Sequence, residues 1–221
     1  MQIAIDGPAG AGKSTIAKRL AGEAGYIYVD TGAMYRAMAL YLIRQGISPK
    51  DKEGIEAACE TADISIVYAG GEQQVILNGE SVNGLIRTGE VSEMASASSV
   101  NPKVRAKLVA LQQKLAASTD VVMDGRDIGT VVLPDADVKI YLTASSRVRA
   151  KRRYDELTAK GETCDLDTIE KEIIIMDERD MNREISPLKQ ADDATVVDTS
   201  DMSIDEVVET IKEIVRTKKR K

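Results

Sequence analysis

The chain has 221 residues, enough for one sizeable hydrophobic core with a small inserted subdomain. Its 36 acidic and 30 basic residues give a formal net charge of −6, which argues against polymeric nucleic acid as a partner because binding many phosphates needs a basic surface. The chain contains no histidine, so its chemistry has to proceed without the commonest general base.

No run of about 20 apolar residues is present, and residues 1–6 lead directly into a glycine-rich motif rather than a signal peptide. We therefore expect a cytoplasmic protein without a membrane partner. Cys59 and Cys164 lack a Cys-x-x-Cys spacing, so we expect neither a disulfide framework nor a zinc site. No motif decides the oligomeric state, and we expect a monomer.

The first part of the chain alternates between strand and helix patterns. We predict strands at residues 2–6 and 26–29 and helices at residues 13–24, 31 to about 45, and 51–61. Thr31 is the expected N-cap of its helix, and Gly46 and Pro49 end that helix.

The hydrophobic period changes between residues 63 and 82. Ile64 and Ile66, then Val75 and Leu77, alternate with polar residues, and Asn78-Gly79 supplies turn chemistry. This pattern predicts an antiparallel β-ribbon inserted into an α/β chain.

Beyond the ribbon, residues 91–118 have a helical pattern interrupted at Pro102. Further strands are predicted at residues 121–123, 138–142 and 196–197, a pair of charged helices within 145–184, and a terminal helix at about 203–216, followed by the basic tail 218–221. The alternation of strand and helix predicts an α/β fold with a parallel sheet flanked by helices.

The glycine-rich motif satisfies the pattern G-x-x-x-x-G-K-[ST] between a predicted strand and a predicted helix. It comprises Gly7, Pro8, Ala9, Gly10, Ala11, Gly12, Lys13 and Ser14, with Thr15 following. Its backbone N–H groups and the positive end of the helix dipole suit the phosphates of ATP. We expect Lys13 to reach the β- and γ-phosphates and the Ser14 hydroxyl to bind Mg²⁺.

A P-loop indicates a nucleotide ligand but not a reaction. The N-K-x-D pattern of guanine readers is absent, which favours a kinase over a GTPase switch. A kinase must also bind a second anion, and Arg36, Arg126 and the arginines of the late helix pair are candidates.

Three further segments of the sequence resemble those of a known family. Three strings look like signatures of bacterial cytidylate kinases, namely DTGAMYRA (residues 30–37), DGRDIGTVV (124–132) and RDMNREISPL (179–188). The resemblance covers essentially the whole chain. It implies one P-loop kinase domain over 1–221, with a core (about 1–30, 119–145 and 190–217), an NMP-binding lobe carrying the β-ribbon (31–118) and a short helical lid (146–189).

The resemblance also implies a CMP site. It assigns the acceptor phosphate to Tyr35, Arg36, Arg126 and Arg183, a further contact with the same nucleotide to Thr31, the cytosine base to Ser96, Arg105 and Asp127, and the sugar hydroxyls to Asp180. The residue chemistry agrees, because guanidinium forks match phosphate oxygens and a carboxylate accepts from the cytosine amino group. The implied reaction is ATP with CMP or dCMP giving ADP with CDP or dCDP.

Arg149, Arg152 and Arg153 look like lid residues that stabilise the phosphoryl group in transit, and the sequence does not tell which of them face it. Asp124 has two interpretations: a water-mediated contact to Mg²⁺, or a cap on the adjacent turn. The catalytic set is therefore predicted as Lys13, Arg126 and these three arginines.

One position departs from the family. Cytidylate kinases commonly have an arginine where this chain has Met176, which follows the apolar run Ile173-Ile174-Ile175. We expect this helical turn to pack against apolar surface, with Met176 partly buried near the acceptor site. Either the other arginines cover the phosphates or the enzyme is intrinsically weak.

Two alternatives remain open. The acceptor could be another nucleoside monophosphate such as UMP, AMP or dTMP, which a profile of acceptors distinguishes. A non-catalytic nucleotide-binding module would keep the P-loop but need no acceptor, and CMP-dependent formation of ADP would exclude it.

Overall fold

The computed structural model describes residues 1–219 and contains eight strands and eight α-helices within them. The strands are β1 (Gln2–Asp6), β2 (Ile27–Asp30), β3 (Ile64–Ala69), β4 (Glu72–Leu77), β5 (Glu80–Ser81), β6 (Val121–Gly125), β7 (Val138–Thr143) and β8 (Thr195–Asp198). The helices are α1 (Lys13–Ala24), α2 (Thr31–Arg44), α3 (Lys52–Thr61), α4 (Gly89–Ser98), α5 (Pro102–Ser118), α6 (Ser146–Ala159), α7 (Leu166–Asn182) and α8 (Ile204–Lys219). A π-helical turn spans Ile128–Val132.

The chain divides into two compact units, one formed by Met1–Tyr28 together with the residues from Asp120 onward and the other by Val29–Thr119. The boundary falls inside β2. A subdivision of the first unit into core and lid, as the sequence suggested, stays a prediction. Arg220 and Lys221, the end of the predicted basic tail, lie outside the described residues.

The first unit is organised by a five-stranded sheet in the order β2-β6-β1-β7-β8. The pairs β1–β6, β1–β7 and β7–β8 are parallel, with Ile5 opposite Asp124 on one side and Ile140 on the other. Ile3 and Ile5 are almost completely buried, as expected for a central parallel strand that is covered on both faces. Asp6, Gly125 and Thr143 are the last residues of β1, β6 and β7. Because neighbouring parallel strands end at the same edge of a sheet, these three residues lie along that edge.

Helices α1 and α8 pack against each other in the core of the first unit. Ile16 and Leu20 on α1 and Val208 and Ile211 on α8 join the strand residues in a single hydrophobic cluster. The spacing of these residues matches one face of a helix, so the amphipathic pattern in the sequence predicts which side of each helix is buried.

The second unit combines four helices with the three-stranded sheet β3-β4-β5. The antiparallel pairs β3–β4 and β4–β5 confirm the predicted β-ribbon, and Asn78, with φ of 48°, occupies the turn before β5. Helix α2 packs against α4 and β4. The predicted interruption at Pro102 is also confirmed, because α4 ends at Ser98 and Asn101 caps α5 by accepting from Val104 N.

Two local expectations are wrong. Helix α2 is capped by Asp30, whose carboxylate accepts from Ala33 N at 2.9 Å, and Thr31 is the first helical residue instead of the cap. Only Ile173 of the apolar run is buried, whereas Ile175 and Met176 are 57% and 43% exposed. An α-helix has 3.6 residues per turn, so four consecutive apolar residues point to all sides of the helix and cannot share one buried face. The burial expected for Met176 is therefore not observed.

No helix within the described part of the chain is long and apolar enough to cross a membrane.

Candidate active site

The glycine-rich motif forms the loop between β1 and α1, at the carboxyl end of the parallel strands. Gly7 follows β1 with φ of 150°, and a Cβ atom there would lie 1.9 Å from the carbonyl oxygen of Leu142. Gly12 adopts φ of 90° at the N-cap of α1. The close approach at Gly7 and the positive φ values at both positions require glycine. With this backbone conformation, the loop leads into α1 so that the N-terminus of the helix lies at this edge of the sheet.

Lys13 is 6% exposed and donates from Nζ to the carbonyl oxygen of Pro8 at 2.7 Å. Burial and, to a smaller extent, the nearby charge of Arg126 together lower the pKa of Lys13 to about 7, against the opposing effect of the carboxylates of Asp124 and Asp6. A bound anion beside the ammonium would restore the charged form.

Ser14 and Asp124 are in direct contact. The Ser14 hydroxyl donates to one oxygen of the Asp124 carboxylate at 2.8 Å, and Tyr28 donates from its hydroxyl to the other oxygen at 2.9 Å. The carboxylate is buried at the end of β6. A hydroxyl and a carboxylate beside a phosphate-binding loop are hard oxygen donors of the kind that Mg²⁺ prefers.

Asp6 fixes the turn that carries the predicted cytosine reader. Its two carboxylate oxygens accept from the backbone N–H groups of Ile128 and Gly129, both at 2.7 Å. These bonds hold the start of the π-helical turn, whereas Asp124 accepts from the hydroxyls of Ser14 and Tyr28. Both interpretations of Asp124 stay predictions. Burial raises the pKa of Asp6 to about 6, against the lowering effect of the two backbone bonds. Asp127 itself is 5% exposed.

Besides Asp127, three further predicted acceptor residues of the first unit lie on or beside α7 and β6. Arg126 donates from Nε to Asp180 at 2.9 Å, which brings the proposed phosphate and sugar contacts together. Arg183 follows α7 and donates from Nε to the carbonyl oxygen of Ser186 at 2.5 Å, where Ser186 has φ of 50°.

The three arginines of α6 that were predicted to belong to a lid have different environments. Arg149 is 5% exposed, donates to the P-loop carbonyl oxygen of Ala9 at 3.0 Å and forms a two-pronged ion pair with Asp177. Arg152 donates to the hydroxyl and carbonyl oxygens of Thr199, and its guanidinium lies 4.0 Å from where a Cβ of Gly12 would be.

Arg153 is half exposed and pairs with Glu156 on its own helix. The structure therefore brings Arg149 and Arg152 to the P-loop and places Arg153 on the solvent side of α6.

The second unit carries the other five predicted acceptor residues. Thr31, Tyr35 and Arg36 lie on α2, Ser96 on α4 and Arg105 on α5. The Arg105 guanidinium lies 5.7 Å from the centre of the Tyr35 ring, and Arg105 also donates to the carbonyl oxygen of Ser99 at 3.3 Å. Ser96 is partly exposed one turn before Ser99.

Several residues that contact the predicted set, either directly or through one intervening residue, were missed by the sequence analysis. They are Asp6, Tyr28, Asp177 and Thr199 in the first unit and Asp30, Gln73 and Arg87 in the second. An aspartate immediately before a helix is a recognisable N-cap signal, so Asp30 could have been found. The others make contacts over long sequence separations, for which the sequence carries no local pattern.

A glycine-rich loop between a buried parallel strand and a helix, with a buried lysine and a serine–aspartate pair, defines a P-loop nucleotide-binding protein. A protein from Eubacterium ventriosum described as uncharacterised has a similar fold, with a TM-score of 0.55, 13% identity and coverage of 98% of both chains.

The chain belongs to the cytidylate kinase family, whose model matches residues 3–217. It is 49% identical over 218 residues to a cytidylate kinase of Carboxydothermus hydrogenoformans, covering 99% of this chain and 98% of that one. It is 50% identical over 220 residues to a cytidylate kinase of Lactobacillus johnsonii, covering 100% and 96% of the two chains.

Proposed function

We propose that this protein transfers the γ-phosphoryl group of ATP to the phosphate of CMP or dCMP, giving ADP and CDP or dCDP. The observation that carries the proposal is the P-loop geometry, in which Lys13 is buried beneath the loop and Ser14 contacts Asp124. Family membership supports cytidine nucleotides as the acceptor.

The donor site is assigned to residues 7–15, with Lys13 facing the transferred phosphate. Ser14 and Asp124 would hold Mg²⁺, which supplies positive charge against the phosphate oxygens when bound. Tyr28 supports this assignment because it fixes the Asp124 carboxylate through a hydrogen bond of 2.9 Å.

The acceptor roles are assigned to the residues that the family resemblance implies. Arg36 and Arg126 would bind the acceptor phosphate with Arg183 and Tyr35, and Thr31 would contact the same nucleotide. Asp127, Arg105 and Ser96 would read the cytosine edge, and Asp180, now paired with Arg126, would accept from the sugar hydroxyls.

Catalysis by this set would rest on positioning and charge. The acceptor is already an ionised phosphate, so the chain needs no general base, in agreement with the absence of histidine. Arg126, Arg149 and Arg152 would stabilise the charge of the transferred group during in-line displacement. Arg153, which points to solvent beside Glu156, is the weakest member of the proposed set.

The decisive experiment is a profile of acceptors. Purified protein is assayed for ADP formation with ATP, Mg²⁺ and each of CMP, dCMP, UMP, AMP and dTMP, with Lys13→Ala as the control for contaminating kinases. We expect the highest kcat/KM with CMP or dCMP and no CMP-dependent activity in the control. A preference for AMP, UMP or dTMP would assign another monophosphate kinase, and ADP formation without any acceptor requirement would contradict the proposal.

The proposal also includes a cytoplasmic monomer that binds no polymeric nucleic acid. The net charge of −6 supports the last point. Cell fractionation and light scattering on the purified protein test the location and the oligomeric state.

A further inference from the structure

The backbone of Asp30 is held by a side chain of the β-ribbon. Gln73 on β4 accepts from Asp30 N through Oε1 at 2.8 Å and donates from Nε2 to Asp30 O at 3.3 Å. One carboxamide therefore bonds both peptide groups of one residue, in the way that a neighbouring strand would.

The carboxylate of Asp30 in turn holds two arginines. Its Oδ1 atom accepts from Ala33 N, and its Oδ2 atom accepts from Arg36 Nη2 at 3.2 Å and from Arg87 Nη2 at 3.5 Å. The side chain is only 12% exposed, so these charge-assisted bonds are partly shielded from water.

Gly32 makes room for the Arg36 guanidinium at the start of α2. A Cβ atom on Gly32 would lie 3.2 Å from Arg36 Nη1 and 3.2 Å from Asp30 Oδ1. Both distances are too short for ordinary packing, so the lack of a side chain lets Arg36 fold back to Asp30.

Gln73 is itself fixed by a second carboxamide. Asn83 donates from Nδ2 to Gln73 O at 2.7 Å and accepts from Val75 N at 2.8 Å. The strand β5 pairs with β4 at Ile76 and Leu77, and Val82 N, just after β5, donates to Val75 O at 3.0 Å. Beyond the end of β5, the side chain of Asn83 therefore supplies hydrogen bonds to β4 that a paired strand would otherwise make. These bonds keep the segment around Gln73 extended.

We propose that Gln73 is a positioning residue for acceptor binding, acting on Arg36 through Asp30. The proposal rests on the proposed function, because Arg36 is assigned there to the acceptor phosphate. A guanidinium held in place before binding loses less conformational entropy when it engages a phosphate. The β-ribbon then contributes to acceptor affinity through the side chain of Gln73.

The test compares Gln73→Met with Gln74→Met. Methionine keeps the length of the side chain and removes its hydrogen-bonding groups. Gln74 is the neighbouring residue of the same type on β4, and its Oε1 atom accepts from Ser81 within the ribbon at 3.0 Å. We expect Gln73→Met to raise KM for CMP about tenfold, the scale of one lost hydrogen-bonded contact. The values of kcat and of KM for ATP should stay within about twofold, and Gln74→Met should leave all three unchanged.

A double-mutant cycle with Arg36→Met tests the route of the effect. If Gln73 acts through Arg36, the Gln73→Met substitution should raise KM for CMP by less than about twofold in the Arg36→Met background. The proposal would be overturned if Gln73→Met raised KM for CMP by the same factor in the wild-type and Arg36→Met backgrounds. It would also be overturned if Gln73→Met left KM for CMP unchanged, or raised KM for CMP and KM for ATP equally.

Failure of the proposed function has a different signature. Wild-type protein without CMP-dependent turnover, or with an unchanged KM in Arg36→Met, would overturn the acceptor assignment and this inference together. Normal CMP turnover with no effect of Gln73→Met would overturn the inference alone.

Discussion

Ser14 and Asp124 are joined by a hydrogen bond of 2.8 Å that links the start of α1 to the end of β6. The parallel register that places Ile5 opposite Asp124 brings the carboxylate to the P-loop edge of the sheet. Tyr28 bonds the second carboxylate oxygen and thereby fixes the orientation of the group.

The Asp124→Asn substitution should raise the Mg²⁺ concentration needed for half-maximal activity by about tenfold or more, because an amide replaces an anionic oxygen donor at the proposed metal site. Activity is measured against Mg²⁺ at saturating ATP and CMP. Asp135→Asn, an exposed acid in the loop before β7, is the matched control and should behave as wild type. An unaltered Mg²⁺ response in folded Asp124→Asn protein would remove Asp124 from the metal site.

The Asp127→Asn substitution should reduce kcat/KM for CMP much more than it affects KM for ATP. It exchanges an ionised acceptor for an amide that can present either edge to the base, so relative use of UMP should rise. The ratio of kcat/KM for CMP to that for UMP is the measurement. If this ratio keeps its wild-type value, Asp127 does not read the base.

Asp6 should make stability fall as pH rises from about 4 to about 6. Burial raises its folded pKa to about 6, above the ordinary value of 3.8, so the folded state binds more protons than the unfolded state within this window. The penalty is absent below the window and fully present above it, with an upper bound of about 3 kcal/mol for the shift.

The comparison for Asp6 is urea unfolding of wild type and Asp6→Asn at several pH values. The difference in unfolding free energy between the two proteins should change between pH 4 and 6 and stay level above pH 7. Using a difference removes the opposite contribution of exposed acids such as Glu23, whose pKa is lowered by hydrogen bonds to Lys212 and Arg19. Parallel pH profiles would show that Asp6 keeps an ordinary pKa.

Gln112 on α5 is completely buried, and neither of its side-chain polar atoms has a hydrogen-bond partner within residues 1–219. Gln112→Met keeps the approximate size and shape of the side chain and removes its unsatisfied hydrogen-bonding groups. The substitution should therefore stabilise the protein by about 1–2 kcal/mol. Gln113→Met makes the same change at an exposed neighbouring position and should alter stability by less than about 0.5 kcal/mol. Destabilisation by Gln112→Met in urea unfolding would indicate that a buried water satisfies the amide.

Met176 is 43% exposed, so Met176→Arg should change stability by less than about 0.5 kcal/mol. If position 176 faces the nucleotide, the added guanidinium should lower KM for CMP or raise kcat. The kinetics of Met176→Arg are compared with those of Ile175→Arg, a change at a neighbouring exposed residue on α7. Identical kinetics in wild type and Met176→Arg would show that the side chain points away from the nucleotide.

Local patterns in the sequence determined most of the fold. The strand, loop and helix of residues 2–24 follow from a buried apolar run, glycines and helical spacing, and β1 and α1 have the predicted bounds. The ribbon follows from alternation and turn residues, and the break before α5 follows from Pro102. All of these signals act between residues close in the chain, where backbone geometry and side-chain spacing decide the outcome.

Only the tertiary structure decided which functional groups meet. The pairs Ser14–Asp124, Arg126–Asp180 and Asp30–Gln73 join residues far apart in sequence, and each depends on strand register and helix packing. Exposure of Met176 likewise follows from how α7 is rotated when Ile173 is buried, which no run of apolar letters specifies. Hydrogen bonds and burial depend on three-dimensional neighbours, so residue types can nominate a site, but packing determines which members of it are held, shielded or left in solvent.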